Sequence, residues 1–457
     1  MASASKKSDS GLAVVILAAG KGTRMNSSRA KVLHEIAGRP MLDYPLRLAE
    51  ALEPVLLVVV VGRDSEQVQH AFADRARFVI QEPQRGTGHA VEVALSSLDG
   101  FSGDVLILYG DTPLLHSESI RRMLARRAET GAPIVMLTSP EPLPGLVVRG
   151  EDGRVQRVVE VADATPHELS IREGNTGVYL VEAEFLRKAI GRLEDANEQR
   201  EFYLTDIVGH ACAEGQPVEA IQLEEADEAL GVNTRAELAR ATGVQFQRNA
   251  ARLMDEGVTF IDPAHAYVDT DVPVGRDTCI DPGVVVTAGS RIGERVHLKA
   301  HTVIEASDIE DDVSIGPSAH LRPGNRIRRG VRIGNFVEVK NSDLGEGVKA
   351  DHLTYIGDTD VGRGASFGAG SITVNYDWDT KHRSTVGKDV RIGCNANLIA
   401  PLRVEDGACV AAGSTVTKDA PAGSLVVARS RQRTVEGWAE KRAKRGTGDA
   451  EPGSEES

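Results

Sequence analysis

Leu17-Ala-Ala-Gly-Lys-Gly-Thr-Arg24 sets two glycines and two cations at the end of an apolar run that begins at Leu12. Glycines let backbone N–H groups approach a phosphate closely, and Lys21 and Arg24 add charge. The segment is not a Walker loop, because G-x-x-x-x-G-K-[ST] is absent. Alone, a Gly-rich turn is weak evidence, but it has company. Lys31 follows in Ala30-Lys31-Val32-Leu33-His34, and Gly86-Thr87-Gly88-His89-Ala90 makes a second Gly-rich turn. Tyr109-Gly110-Asp111 closes another aliphatic run, where a carboxylate is costly to bury unless it is paired or metal-bound. These residue types suit chemistry on a phosphorylated ligand.

Such residues need a scaffold. From 12 to about 235, short aliphatic runs alternate with amphipathic stretches. Val14 to Ala18, Val55 to Val61 and Val105 to Tyr109 read as buried strands, and Met41 to Leu52 and Ser117 to Arg127 as helices. The alternation predicts a mostly parallel Rossmann-like α/β sheet covered on both faces, with ligands beyond the carboxyl ends of its strands. Residues 236–256 read as a helical connecting arm, on the stripe Leu238, Thr242, Phe246, Ala250 and Leu253.

Beyond Val274 the period becomes six. Val274, Ile280, Val286, Ile292, Leu298 and Ile304 open a series that continues, through three five-residue steps and one of thirteen, to Val416. A left-handed parallel β-helix needs this repeat, since each coil has three six-residue sides with one aliphatic residue per side on the axis. Twenty-four such positions make about eight coils, ~4.8 Å apart. The expected domains are therefore 1–235, a helical linker 236–256, and a β-helix 257–457. The tail from about 441 and the first ten residues, poor in apolar side chains, are expected to be disordered.

Polar residues that cannot lie on the axis cluster between Arg322 and Lys381. His352 sits two places after axial Ala350, and Tyr355 precedes axial Ile356. The thirteen-residue step from Thr373 to Val386 projects Asn375-Tyr376-Asp377 and Lys381, and long loops on rigid scaffolds commonly carry function.

Composition narrows the partners. The 457 residues are 41% hydrophobic and 26% charged, as in soluble globular proteins. The formal charge of −14 argues against nucleic acid and anionic membranes as partners. The longest aliphatic run is too short to span a bilayer. Lys6-Lys7 before Leu12 mimics a secretory leader, but the run passes straight into the Gly-rich turn, which favours a strand and a cytoplasmic protein. Cys212, Cys279, Cys394 and Cys409 show no short metal-ligand spacing and read as reduced thiols.

L-A-A-G-x-G-T-R-M, K-V-L, G-T-x-H-A and a strand-terminal G-D resemble nucleotide-sugar pyrophosphorylases. With Glu160, Asn175-Thr-Gly177, Tyr203-Leu-Thr-Asp206, Gly231-Val-Asn233 and the hexapeptide repeats, residues 12 to 440 resemble the bacterial bifunctional UDP-N-acetylglucosamine pyrophosphorylase / glucosamine-1-phosphate N-acetyltransferase family. That resemblance implies that Leu17, Ala18, Ala19, Gly20, Lys31, Tyr109 and Gly110 meet the nucleotide, with Gln81, Gly86 and Thr87 at the uracil. It places Mg²⁺ on Asp111 and Asn233, and N-acetylglucosamine on Gly145, Glu160 and Asn175. Arg24 and Lys31 would assist displacement of pyrophosphate from UTP by charge neutralisation.

In the repeats the resemblance assigns glucosamine 1-phosphate to Arg322, Lys340, Tyr355, Ser366, Asn375 and Lys381, with His352 as the base that takes the amine proton. Acetyl-CoA would lie along Ala369, Asn375, Tyr376, Cys394, Ala412 and Arg429. It further implies a homotrimer supplying a precursor of peptidoglycan and lipopolysaccharide. The chain departs from the family's usual residues at Ala30, Leu146, Ala162, Ser366 and Cys394. The competing readings are a single-activity nucleotidyltransferase with a purely oligomerising β-helix, and a nucleotide-sensing assembly subunit. A scaffold would not need His352, Tyr355, Asn375 and Lys381, and a sensor would not need Arg24, Lys31, Asp111 and Asn233 together.

Overall fold

The computed structural model describes residues 11–63 and 65–446. Two compact units divide the chain: Met1–Pro273 with Pro282–Gly289, and Val274–Asp281 with Ser290–Ser457.

The first unit is built on a nine-stranded sheet. Its main path runs Val218–Gln222, Ile134–Ser139, Gly174–Glu182, Asp104–Tyr109, Leu12–Ala18, Leu56–Val61, Arg77–Ile80. On this path only Gly174–Glu182 runs antiparallel to its neighbours. The aliphatic runs form strands because both faces are covered. Ala13, Val15 and Leu17 enter one core with the helices Thr87–Leu95, Ala183–Ile190 and Asp206–Ala213. Val14 and Ile16 enter the other, with Asp43–Glu50 and Ser117–Thr130. Each fully buried Val, Leu or Ile contributes roughly 1.5–3 kcal/mol. Leu12–Ala18, the segment that mimics a leader, is thus a central strand. No helix among the described residues is long and apolar enough to cross a membrane.

The connecting arm is the helix Arg235–Asp255, and it belongs to the first unit rather than standing apart. Ala241 and Val232 are buried with Ile36, Met41 and Leu114, Asn249 Nδ2 donates to Val268 O at 3.0 Å, and Phe246 packs edge-on against Tyr267 at 5.4 Å. The boundary expected near 257 therefore differs from the compact division, which falls at Pro273.

The second unit is the left-handed parallel β-helix that the six-residue period predicts. Its short strands stack in parallel ladders whose partners lie 18 or 17 residues apart, as in Cys279↔His297 and His297↔Ser314. The separation widens to 25 where the long step intervenes, as in Ser366↔Arg391. Every axial position named in the series is buried, from Val274 to Val416. The aliphatic period leaves out one inward-facing position. Two residues before each axial side chain sits a second buried one, such as Thr278, Ser290, Val296, Asn325 and Ser342. Several polar members donate to main-chain carbonyls, as Thr278 Oγ1 does to Gly293 O at 2.9 Å and Asn325 Nδ2 to Val339 O at 3.1 Å, while Ser384 Oγ has no partner among the described residues.

The tail expected from about 441 begins inside a helix. Residues through 446 form the helix Trp438–Gly446, where Lys441 N donates to Gly437 O at 3.0 Å and the Arg442 guanidinium lies over the Trp438 ring at 5.2 Å. Propensity is the reason, since Ala, Glu, Lys and Arg are all good helix formers even without a core. Residues 1–10 and 447–457, the rest of the expected disorder, lie outside the described residues.

Candidate functional sites

A cavity of about 410 Å³ opens beyond the carboxyl ends of Leu12–Ala18 and Asp104–Tyr109. Leu17, Ala18, Ala19, Gly20, Arg24, Lys31, Gln81, Gly86, Thr87, Tyr109, Asp111 and Asn233 all line it, so the structure brings the expected nucleotide residues together. The buried Lys31 ammonium donates to Asp111 Oδ2 at 2.5 Å and to Asn233 Oδ1 at 3.0 Å. A charge this deep requires such partners. The main chain that carries both residues is held in place: Val232 N donates to Asp111 O at 2.9 Å, and Asn233 N donates to Glu237 Oε2 at 2.7 Å. Glu237 in turn closes a capping box with Thr234 at the start of Arg235–Asp255.

The opposite wall is the turn before Thr87–Leu95. Gly86 has φ +102°, and a Cβ there would stand 2.7 Å from Phe202 O, so only glycine fits. Buried Gln81 donates from Nε2 to Gly86 O at 2.9 Å, and the Gln84 amide to Ala19 O, which ties this wall to the first loop. Gln84 and Glu201 also line the cavity, although neither lies in a motif that points to it. Burial, reinforced by Asp111 and Glu160, pushes the Tyr109 hydroxyl far above its ordinary range, so it stays protonated.

Gly145, Glu160 and Asn175 meet through strand register, since Gly145 pairs with Glu160 on one side and Asn175 on the other. Glu160 also lines a neighbouring cavity of about 570 Å³ with Tyr203, Thr205 and Asp206. Burial raises the Glu160 carboxyl, and Thr205 Oγ1 donates to it at 3.3 Å. Tyr203 and Thr205 belong to one of the family motifs, yet the resemblance gives them no contact of their own. Leu146 is buried and pairs with Gly174, while Ala162 is exposed.

In the β-helix, Arg322 and Lys340 follow the paired axial residues Leu321 and Val339, so they occupy successive coils. Lys381, on the excursion, lies close enough to Lys340 to lower its proton affinity, and Arg322 acts in the same sense. Three cations thus converge, with Glu338 accepting from Arg322 at 3.1 Å. Asn375, buried, donates to Tyr355 Oη at 3.4 Å and also to Asp358.

His352 is exposed and paired in register with Asn335 one coil away, and its Nδ1 lies 2.7 Å from Asn335 Oδ1. An amide oxygen accepts, so Nδ1 carries the hydrogen, and the neutral ring keeps its lone pair on Nε2. Neither motif nor period singles out Asn335, although its separation of 17 residues from His352 is one short coil. Gly334 permits the stacking, because a Cβ there would fall 1.7 Å from Asp351 O.

The same corner continues down the coils. Gly370 N donates to Leu353 O at 3.0 Å, Asn395 N to Ala369 O at 2.8 Å, and Gly413 N to Cys394 O at 2.8 Å. Arg429 Nη1 caps the row on Ala412 O at 3.0 Å. Ala369, Cys394, Ala412 and Arg429 therefore form one track with His352 at its head. From His352 to Ala412 it runs three coil steps, ~14 Å at ~4.8 Å each. Tyr376 is half exposed on the excursion, its ring 6.4 Å from that of Trp378. Ser366 lies on the ladder that carries the His352 strand, between Lys349 and Arg391.

All four cysteines are free thiols. The coil brings Cys279 beside Asp281 and, 18 residues on, His297.

Residues 14–204 match the family of MobA-like NTP transferase domains. Over nearly its whole length the chain is similar to proteins named bifunctional protein GlmU. That of Trichlorobacter lovleyi is 46% identical, covering 95% of this chain and 99% of its own. Those of Pelobacter propionicus and Geobacter sulfurreducens are 45% and 43% identical, each covering 93% of this chain and 98% of their own. With both halves of the sequence accounted for at this level of identity, the chain belongs to the family of the bifunctional protein GlmU.

Proposed function

We propose that this chain makes UDP-N-acetylglucosamine by two reactions, one in each unit. The second unit acetylates glucosamine 1-phosphate. Arg322, Lys340 and Lys381 bind its phosphate, Tyr355, Ser366 and Asn375 orient the sugar, and acetyl-CoA lies along Ala369, Asn375, Tyr376, Cys394, Ala412 and Arg429. His352 Nε2 accepts a proton from the amine as the nitrogen attacks the thioester carbonyl. The C–S bond then breaks, and CoA leaves as the thiol once protonated. Asn335 holds the ring in the tautomer this requires.

The first unit transfers UMP from UTP. Leu17, Ala18, Ala19, Gly20, Tyr109 and Gly110 cradle the nucleotide, with the uracil against Gln81, Gly86 and Thr87. Gly145, Glu160 and Asn175 hold N-acetylglucosamine 1-phosphate, whose phosphate oxygen attacks the α-phosphorus and releases pyrophosphate. Asp111 Oδ2 and Asn233 Oδ1 both accept from the Lys31 ammonium, and a Mg²⁺ held by this hard two-oxygen set would displace that ammonium toward the substrate phosphates and complete its coordination with water and substrate phosphate. A cation there would neutralise charge building on the phosphate oxygens. Arg24 and the Lys31 ammonium face the same cavity and supply fixed positive charge to the leaving pyrophosphate.

The observation that carries the two-reaction reading is the Asn335-paired His352 at the head of the carbonyl track, on the same unit as Arg322, Lys340 and Lys381. An oligomerising scaffold has no use for that arrangement. Supplying glucosamine 1-phosphate and acetyl-CoA while following CoA, and in a separate assay N-acetylglucosamine 1-phosphate, UTP and Mg²⁺ while following pyrophosphate, tests the proposal: both products should appear, and pyrophosphate alone would leave a single-activity nucleotidyltransferase. The enzyme would work in the cytoplasm as a homotrimer, feeding peptidoglycan and lipopolysaccharide synthesis. Support for self-association comes from Phe336 and Leu353, large apolar side chains on successive coils that are 61% and 59% exposed.

A further inference from the structure

We propose that Cys279, Asp281 and His297 form a binding site for one Zn²⁺-class divalent ion on the outer surface of the β-helix, remote in function from either reaction. Ile280 points to the axis, so Cys279 and Asp281 on either side of it project outward on one face. The coil then sets His297 in register with Cys279, 18 residues on. Their ligand atoms all lie within 4.8 Å of one another. His297 Nε2 is 3.1 Å from Asp281 Oδ1, and Cys279 Sγ is 4.0 Å from the same oxygen.

A tetrahedral Zn²⁺ with a sulfur at ~2.3 Å and nitrogen and oxygen at ~2.0–2.2 Å spreads such atoms ~3.3–3.7 Å apart. The His297–Asp281 and Cys279–Asp281 separations differ from that by a few tenths of an ångström, and the Cys279–His297 pair lies within 4.8 Å, so side-chain rotation can close the set. Thiolate, imidazole and carboxylate together favour Zn²⁺ over Mg²⁺ or Ca²⁺, which prefer all-oxygen sets. All three side chains are half-buried, so an ion can enter and a water can fill the fourth position. Binding the ion releases the Cys279 thiol proton. Bound there, the ion clips one coil to the next.

The test is a Co²⁺ titration of the full-length reduced protein in excess Mg²⁺, reading the thiolate-to-cobalt charge-transfer absorption, which an all-oxygen site cannot produce. The band should saturate at one equivalent, vanish on adding Zn²⁺, and persist in Cys394→Ser, which removes the most exposed thiol. It should be lost in Cys279→Ser. In His297→Gln and Asp281→Asn the affinity should fall by at least ~10-fold, the lower range for disturbing a metal centre. Circular dichroism confirms that each variant is folded, and the two latter substitutions keep the proposal testable if Cys279→Ser is not. A wild-type protein with its thiols reduced and no band would overturn the site, leaving an ordinary His297–Asp281 ion pair. A band unchanged in folded His297→Gln or Cys279→Ser would overturn it equally.

Discussion

Replacing Asp111 by alanine should damage the first unit in two separable ways. The Lys31 side chain is 8% exposed and that of Asp111 21%, so the substitution strands a nearly buried ammonium. Removing one partner of a fully buried pair costs about 3–5 kcal/mol. Asn233 still accepts from Lys31 at 3.0 Å and water reaches the vacated space, which places the loss at about 2–3 kcal/mol. Urea denaturation of the first unit reads this quantity. Pyrophosphate release should fall on the order of 10³-fold, about 4 kcal/mol of transition-state stabilisation, because the cation loses its only charged ligand from the protein. CoA release should be unchanged. The double variant Lys31→Ala/Asp111→Ala separates the two effects. With no charge left unpaired it should regain part of the stability, a coupling of about 1–3 kcal/mol, but none of the rate. Pyrophosphate release within about tenfold of wild type in Asp111→Ala would refute the metal assignment. Strictly additive stability losses would refute the pairing.

Asn335→Ala should lower kcat for acetyl transfer by about tenfold, a fraction of what a positioned base contributes, and flatten its pH profile near the histidine range. Pyrophosphate release and folding should be untouched, and Asn335→Asp, which keeps the accepting oxygen, should recover part of the rate. Glu160→Gln should stabilise the first unit near neutral pH while weakening N-acetylglucosamine 1-phosphate binding. Its folded carboxyl is raised by burial, so the native state binds the proton more tightly, and stability falls as pH rises through the window between the unfolded and folded values; a pH series of denaturation midpoints for wild type and variant checks the sign. Light scattering should give three times the chain mass of 48.8 kDa, and Phe336→Glu with Leu353→Glu should shift it toward monomer; a wild-type monomer at micromolar concentration would exclude the trimer.

What is legible in the sequence follows from how local each signal is. The axial series can be read to the residue because one side of a coil is always six or five residues. The strands at the sheet centre can be read because burial on both faces leaves unbroken aliphatic runs. The second inward position gives no such pattern, because Thr278, Val284, Ser290 and Ala319 share no single chemical type. Residues joined across long separations are equally hidden. Lys31 meets Asp111 and Asn233 at 80 and 202 residues' distance, and only the sheet order brings them together. Asn335 with His352, and Cys279 with His297, lie just one coil apart. The coil length, used as a contact rule, is enough to pair both from the sequence.

The central claim is that the β-helix carries its own chemistry, and His352→Ala tests it most directly. CoA release from acetyl-CoA and glucosamine 1-phosphate, and pyrophosphate release from UTP and N-acetylglucosamine 1-phosphate, are measured on the same preparation. Acetyl transfer should fall by about 10²–10⁴, the usual worth of a positioned base, while pyrophosphate release stays unchanged. The side chain is exposed and the axial Ala350 and Ile356 are untouched, so the fold should survive. An acetyl-transfer rate within about threefold of wild type, far short of the loss expected for a missing base, would contradict the account.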